Sequence, residues 1–289
     1  NMSKSIELKI IDCPRDAMQG IDAFIPTDKK VAYINALLKV GFDTLDFGSF
    51  VSPKAIPQLK DTEEVLSRLE LDNTNTKLLA IVANERGAIN ACEHDLISYL
   101  GYPFSISETF QQRNTNASIE DSLKRLDNIN NSARKVDKSM VVYLSMGFGN
   151  PYGDPYHEDI VAQWLERLSN LDINIFALSD TIGVADANSI DRLFKTVIPE
   201  FSSLEIGAHL HTKPHEWREK VAVAYSAGCR RFDGAVAGFG GCPMAADELT
   251  GNMPTEKMIR YFVEMGLLQE IDQQQLNNCV VMASEVFLS

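Results

Sequence analysis

Short apolar runs with the character of β-strands recur along the chain, and segments with helical spacing separate them. In residues 29–40, for example, Val31, Ile34 and Leu38 lie three and four positions apart, which places them on one face of a helix. Compact apolar runs without that spacing are typical of buried strands. Eight such runs occur, at residues 6–12, 44–48, 77–83, 96–107, 140–146, 174–180, 204–211 and 231–236.

The alternation of eight strands with helices predicts a (β/α)8 TIM barrel, a fold that typically takes about 250 residues. An open, doubly wound sheet also alternates, but it seldom needs eight units. We predict a single TIM-barrel domain over residues 1–289, with the barrel at about 5–266 and a C-terminal helical extension at about 267–289. Apolar Leu276, Val280 and Val286 predict that this extra helix packs on the barrel.

The composition favours small partners. A chain of 289 residues with 45% hydrophobic content can bury a large core. Its 40 acidic and 27 basic residues give a formal net charge of −13, which repels nucleic-acid phosphates and anionic membrane surfaces. Small molecules and divalent cations are therefore the expected partners, with neither nucleic acid nor membrane among them.

The cysteines predict a reducing compartment. There are five, an odd number, and no two are spaced as Cys-x-x-Cys, which argues against a disulfide framework and a structural zinc cluster. No uninterrupted apolar run approaches the roughly 18 residues of a membrane span. We expect a soluble, cytoplasmic protein, and association of identical chains stays open.

The most informative stretch is the His-x-His sequence at the end of the seventh predicted strand. Side chains alternate along a strand, so His209 and His211 are predicted to point the same way and to offer two imidazole nitrogens to a metal. Histidines near a strand end also serve as packed or capping residues. The pair therefore needs partners from other strand ends, where the catalytic groups of TIM barrels lie.

Asp16, after the first strand, and Asn252, after the eighth, are the candidate partners. Two oxygens and two imidazoles, completed by water or substrate, suit octahedral Mg²⁺ or Mn²⁺ better than zinc. Arg15 beside them could hold a carboxylate or a forming enolate. The alternatives are a turn cap for Asp16, a left-handed backbone for Asn252 and a surface ion pair for Arg15.

Further candidates also lie at strand ends. Cys242 follows a glycine-rich loop and could act as an acid or base if its pKa were shifted, although inert packing is the commoner fate of a cysteine. Asp12, Asp46 and Asp180 could orient ligands or relay protons, or could equally pair with basic neighbours and cap helices. No dinucleotide-binding, P-loop, serine-hydrolase or zincin motif occurs in the sequence.

Taken together, these motifs resemble the 3-hydroxy-3-methylglutaryl-CoA (HMG-CoA) lyase family, part of a larger group of metal-dependent barrel lyases, aldolases and condensing synthases. They occur in the family's order over most of the chain. The Ser-Phe-Val-Ser-Pro and Gly-Gly-Cys-Pro elements separate the lyases from the isopropylmalate and homocitrate synthases. The matching segments are Pro14-Arg15-Asp16-Ala17-Met18-Gln19, Ser49-Phe50-Val51-Ser52-Pro53-Lys54, Ser179-Asp180-Thr181-Ile182-Gly183-Val184, His209-Leu210-His211, Val236-Ala237-Gly238-Phe239-Gly240-Gly241-Cys242-Pro243 and Gly251-Asn252.

The resemblance implies a (β/α)8 barrel that binds a divalent metal, Mg²⁺ or Mn²⁺, and cleaves HMG-CoA to acetoacetate and acetyl-CoA by a retro-Claisen step. It implies that Arg15 stabilises the thioester enolate, that His209 and Cys242 transfer protons and that Asp46 is catalytic. The implied metal ligands are Asp16, His209, His211 and Asn252, and the implied substrate-binding or orienting residues are Gln19, Asp12, Asp180 and Glu256.

The sequence departs from the family pattern at several positions. Asp46 stands where the family has Glu, and a carboxylate set back by roughly 1 Å can cost on the order of 100-fold in rate. Ala17 replaces Gly, Met244 replaces Tyr, and residues 212–217 replace the family's Asp-Thr-Tyr-Gly. Two alternatives therefore stay open: a related aldolase or condensing enzyme acting on another acyl-CoA or a 2-oxo or hydroxy acid, and a catalytically silent barrel that binds a metabolite or a partner protein.

Overall fold

The computed structural model describes residues 7–241 and 250–288. Eight parallel strands close into a barrel, because the first strand pairs with both the second and the last. The prediction of a (β/α)8 barrel is thereby confirmed. In chain order the barrel strands are β1 (Lys9–Asp12), β2 (Thr44–Ser49), β3 (Lys77–Ile81), β4 (Ile97–Ser105), β5 (Ser139–Ser145), β6 (Ile175–Ser179), β7 (Glu205–His209) and β9 (Arg231–Gly234).

Helices surround the barrel and cover its outer face. The outward side chains of the strands and the inward faces of the helices form one large apolar core, and a small second cluster around Tyr143 fills the barrel interior. The helices are α1 (Pro14–Gln19), α2 (Thr27–Leu37), α3 (Thr62–Ser67), α4 (Glu85–Cys92), α5 (Glu108–Thr115), α6 (Ile119–Arg134), α7 (Glu158–Ser169), α8 (Ala187–Glu200), α9 (Trp217–Ser226), α10 (Thr255–Glu264) and α11 (Gln273–Phe287).

The predicted C-terminal helix is α11, which packs against α2. The ring of Phe287 meets Tyr33 edge-on at 5.7 Å between centroids and lies 4.8 Å from the ring of Phe239, in the loop after β9. One end of this helix therefore supports a loop at the barrel mouth. In the part of the chain that the structure describes, no helix has both the length and the apolar character needed to span a bilayer.

The structure corrects one sequence-based expectation at the barrel mouth. Residues 204–211 do not form one strand, because β7 ends at His209 and His211 begins the short strand β8 (His211–Thr212). Strand β8 pairs antiparallel with β10 (Gly251–Asn252), outside the barrel. The residues after β1 form helix α1, because Pro14 suits the first helical position.

Candidate metal and catalytic site

Three predicted ligands converge at the carboxyl ends of the barrel strands. Asp16 comes from the first turn of α1, His209 from the last residue of β7 and His211 from β8. Each offers one ligand atom, and these atoms all lie within 4.8 Å of one another. The structure therefore brings these three side chains together, although the two histidines do not share a strand.

Asn252 joins this group through the β8–β10 pair. It lies directly opposite His211 in that pair, and its Nδ2 donates hydrogen bonds to Asp16 Oδ2 at 2.8 Å and to the Phe239 carbonyl at 2.9 Å. Its side chain is therefore held beside the other three by the backbone on one side and a carboxylate on the other.

His211 supplies the observation that best fits a metal ligand. It is buried, and its Nδ1 has no hydrogen-bond partner among residues 7–241 and 250–288. Burial and the neighbouring His209 lower the pKa of His211 to about 4, so the ring is neutral at pH 7. Neutral imidazole is the form that binds metals, and the mixed nitrogen and oxygen donor set suits a hard or borderline divalent cation.

His209 lies between two carboxylates. Its Nδ1 is 2.9 Å from Asp233 Oδ2, and its Nε2 is 3.7 Å from Asp16 Oδ2. Burial alone would lower the pKa of His209, but the contacts with Asp16 and Asp233 outweigh it and raise the pKa to about 10. Arg15 and His209 in turn hold the pKa of Asp16 well below its usual range, against the effect of burial. Without a cation, His209 is therefore protonated and Asp16 ionised at neutral pH.

Arg15 is aimed by a carboxylate beneath it. Its Nε lies 3.1 Å from both oxygens of Asp46, and its Nη2 lies 2.7 Å from Oδ2 of the same residue. Gln19, one turn further along α1, accepts a hydrogen bond of 2.7 Å from Nη1. Because Asp46 is fully buried, the guanidinium is held in one orientation beside Asp16.

A cavity of about 520 Å³ opens above these residues. Arg15, Asp16 and both histidines line it, so a bound molecule can reach the candidate ligands and the guanidinium together. Asp46 does not line the cavity and reaches it only through Arg15. The cavity is also lined by polar residues that were not predicted as site residues: Asn114, Thr115, Ser145, Ser179 and Thr181.

Three of the predicted orienting residues lie outside this cavity. Asp180 accepts hydrogen bonds from the backbone of Val184 and Ala185, so it shapes the loop after β6. Asp12 accepts a hydrogen bond of 2.7 Å from Thr255 Oγ1, and burial raises its pKa to about 8. Glu256 accepts one of 2.7 Å from the backbone of Ala237, in the loop after β9. These residues can position site elements without touching a ligand.

The glycine-rich loop after β9 approaches the site closely. Gly240 has a φ of +89°, and a Cβ there would lie 2.7 Å from Asn252 Nδ2 and 3.0 Å from the Ala17 Cα. A larger residue would therefore push the loop away from two site elements. Cys242, the predicted proton-transfer group of this loop, lies outside the described residues.

Asp233 is a site residue that none of the sequence motifs indicated. It is buried on β9, and its carboxylate contacts Nδ1 of His209. The signal was present in the predicted strand 231–236, where Arg231 and Asp233 flank Phe232. Charged residues two positions apart in a strand share one face, which indicates a polar barrel interior at this strand.

Fold and site together define the class of protein: a (β/α)8 barrel enzyme with a group of residues able to hold a metal ion at the carboxyl ends of its strands. The HMGL-like family model matches residues 7–282. The chain therefore belongs to the HMGL-like family, and the resemblance inferred from the motifs is confirmed.

Individual relatives agree with this assignment. The chain is 31% identical to the hydroxymethylglutaryl-CoA lyase YngG of Bacillus subtilis over 273 residues, which cover 94% of this chain and 90% of the relative. A crystal structure of the B. subtilis HMG-CoA lyase superposes with a TM-score of 0.92 at 30% identity, covering 98% and 94% of the two chains. An HMG-CoA lyase from Acinetobacter baumannii, in complex with coenzyme A and 3-methylmalate, gives 0.89 at 30% identity, covering 99% and 93%.

Proposed function

We propose that this protein is a divalent-metal-dependent carbon–carbon lyase that cleaves HMG-CoA to acetoacetate and acetyl-CoA. The observation that carries the proposal is the convergence of Asp16, His209 and His211 beside Arg15 in one cavity, with Asn252 hydrogen-bonded to Asp16. The similarity to HMG-CoA lyases over nearly the whole chain supports the choice of substrate. The complex of the A. baumannii relative with coenzyme A supports an acyl-CoA.

The four residues around the convergence point would hold Mg²⁺ or Mn²⁺. Such a cation, when bound, supplies Lewis-acid chemistry to the hydroxyl and carboxylate oxygens of a hydroxy acid. The ionised Asp16 and the neutral His211 are ready to bind it, whereas His209 first has to lose a proton. Cytoplasmic location, association of identical chains and a single-domain organisation stay predictions.

The reaction needs a base for the 3-hydroxyl proton and a stabiliser for the electron pair released when the C2–C3 bond breaks. Arg15 is the stabiliser in this proposal, because its guanidinium lines the cavity and Asp46 and Gln19 fix its direction. The Arg15 guanidinium is already oriented before the reaction begins. It can therefore stabilise a forming thioester enolate without rearranging, which lowers the activation free energy. Cys242 is proposed to move protons to and from the substrate, because His209, whose Nε2 would hold the cation and whose Nδ1 contacts Asp233, has no free nitrogen for this step.

The direct test is an assay of the purified protein with HMG-CoA in the presence of Mg²⁺ or Mn²⁺. Formation of acetoacetate and acetyl-CoA in equal amounts is expected. If the protein cleaves another 3-hydroxyacyl-CoA but forms no acetoacetate from HMG-CoA, the proposed substrate is wrong and the proposed type of reaction stands. Binding of HMG-CoA without cleavage of any bond, with an affinity that Arg15→Met leaves unchanged, would overturn the proposal that the protein is an enzyme.

A further inference from the structure

Two polar pairs cross the barrel interior between the neighbouring strands β7 and β9. Near the amino end of the strands, Arg231 Nη1 lies 3.1 Å from Glu205 Oε2, and at the carboxyl end His209 Nδ1 lies 2.9 Å from Asp233 Oδ2. The parallel register, with Ala208 opposite Phe232, sets both pairs, because alternate residues of each strand face inward.

Gly207 makes room for the lower of these two pairs. A Cβ at this position would lie 2.8 Å from the Cγ of Arg231, so only glycine lets the arginine side chain pass along the interior. Arg231 is itself buried, and its Nε and Nη2 have no partner in the described part of the chain. The interior below His209 is thus polar and tightly built, and Asp233 lies at its upper end.

The carboxylate of Asp233 is hydrogen-bonded to His209. Asp233 is buried and does not line the cavity, and its Oδ1 has no hydrogen-bond partner among residues 7–241 and 250–288. Cys13 and Tyr143 also lie close to His209, but a thiol and an aromatic ring are weaker hydrogen-bond acceptors than the carboxylate of Asp233. In the described part of the chain, the Asp233 carboxylate therefore makes its hydrogen bond with Nδ1 of His209.

We propose that Asp233 is a positioning residue of the metal site: it accepts the Nδ1–H of His209 and so holds the ring with Nε2 facing Asp16 and the cation. This inference rests on the metal site of the proposed function. Metal-ligating histidines generally donate their second ring N–H to a carboxylate or a carbonyl, which fixes the tautomer and raises the basicity of the ligating nitrogen. Asp233 would therefore act on the cation and the substrate only through His209.

The first test measures Mn²⁺ affinity by electron paramagnetic resonance on the full-length protein, without substrate. Asp233→Ala and the nearly isosteric Asp233→Asn are compared with Glu205→Gln, which removes a carboxylate from the lower pair of the same two strands. A loss of about 10- to 100-fold in affinity is expected for Asp233→Ala, and a smaller loss for Asp233→Asn, which keeps an acceptor but not its charge. Glu205→Gln is expected to bind Mn²⁺ within about twofold of the parent chain.

The second test needs no variant and therefore does not depend on the variants folding. Nitrogen-15 NMR of the imidazole groups, with Mg²⁺ bound, reports which ring nitrogen of His209 carries the proton. A protonated Nδ1 and an unprotonated Nε2 are expected. The opposite tautomer, or ligation through Nδ1, would overturn the role of Asp233.

The outcomes separate this inference from the function on which it rests. If the unmodified chain binds no Mn²⁺, both the metal site and the role of Asp233 are wrong. If it binds Mn²⁺ but folded Asp233→Ala and Asp233→Asn bind it within threefold of the parent, only the role of Asp233 is wrong. An equal loss in Glu205→Gln would also overturn it, because the effect would then be a general loosening of the barrel interior.

Discussion

His211 lies directly opposite Asn252 in a two-residue antiparallel pair outside the barrel. This pairing brings two candidate ligands together from segments that are far apart in the chain. It also means that the loop after β9 and the segment after β7 are joined by backbone hydrogen bonds at the site. The geometry of the site therefore depends on two short strands, and several consequences can be measured.

Replacing His211 should remove metal binding. His211→Ala deletes a neutral imidazole from the ligand group, and we expect at least about a 100-fold loss of Mn²⁺ affinity and of activity. The matched control is His215→Ala, because His215 is exposed on the segment just after β8. Chelation should abolish the activity of the parent chain, and Mg²⁺ or Mn²⁺ should restore it. Activity that persists after chelation would show that the metal assignment is wrong.

The charge of Asp46 should matter more than its length. Asp46→Asn keeps the shape but loses the carboxylate that aims Arg15, and we expect kcat/KM for HMG-CoA to fall on the order of 100-fold. Asp46→Glu keeps the charge and restores the side chain of the family pattern, so its activity should be similar or higher. A large loss in Asp46→Glu would show that the fully buried site is built around the shorter side chain.

Metal affinity should rise with pH. With a pKa raised to about 10, His209 carries a proton at neutral pH that a cation must displace, whereas His211, with a pKa near 4, carries none. The apparent association constant for Mn²⁺ should therefore increase about tenfold per pH unit between pH 6.5 and 9 and level off above 10. Calorimetry in buffers of different ionisation enthalpy should show about one proton released per ion. An affinity independent of pH over this range would contradict the protonation of His209.

Asp12 should make the fold less stable as the pH rises. Burial raises its pKa from an ordinary value of 3.8 to about 8, so between these values the native state keeps a proton that the unfolded state has lost. Stability from this group is full below pH 4, falls with rising pH and is lost above pH 8.

The difference in unfolding free energy between Asp12→Asn and the parent isolates this group, because the amide resembles the protonated acid. The variant should gain on the order of 1–4 kcal/mol relative to the parent between pH 5 and 8 in urea titrations. Asp159→Asn, at an exposed position on α7, is the control and should show no such trend. A constant difference between Asp12→Asn and the parent would mean that Asp12 is ionised in the native state.

Much of the site could be predicted from the sequence, because the carboxyl ends of all strands of a barrel lie at the same rim. Once eight strands are counted, Asp16, His209 and Asn252 must lie at the same rim, whatever their separation along the chain. What could not be read was the break at Leu210, after which His211 leaves the barrel and pairs with Asn252. The apolar Leu210 gives no signal of a break in the sequence, and the pairing of β8 with β10 joins segments that are far apart along the chain.

The amino-acid sequence by itself determined the barrel, its extra C-terminal helix and the residues that meet at its mouth, because the spacing of apolar residues is a local property that specifies strands and helices. Only the tertiary structure decided which polar side chains support them: the contact of His209 with Asp233 and that of Arg15 with Asp46. The physical reason is that these contacts depend on the register between neighbouring strands and on burial. Both arise only when the whole barrel closes.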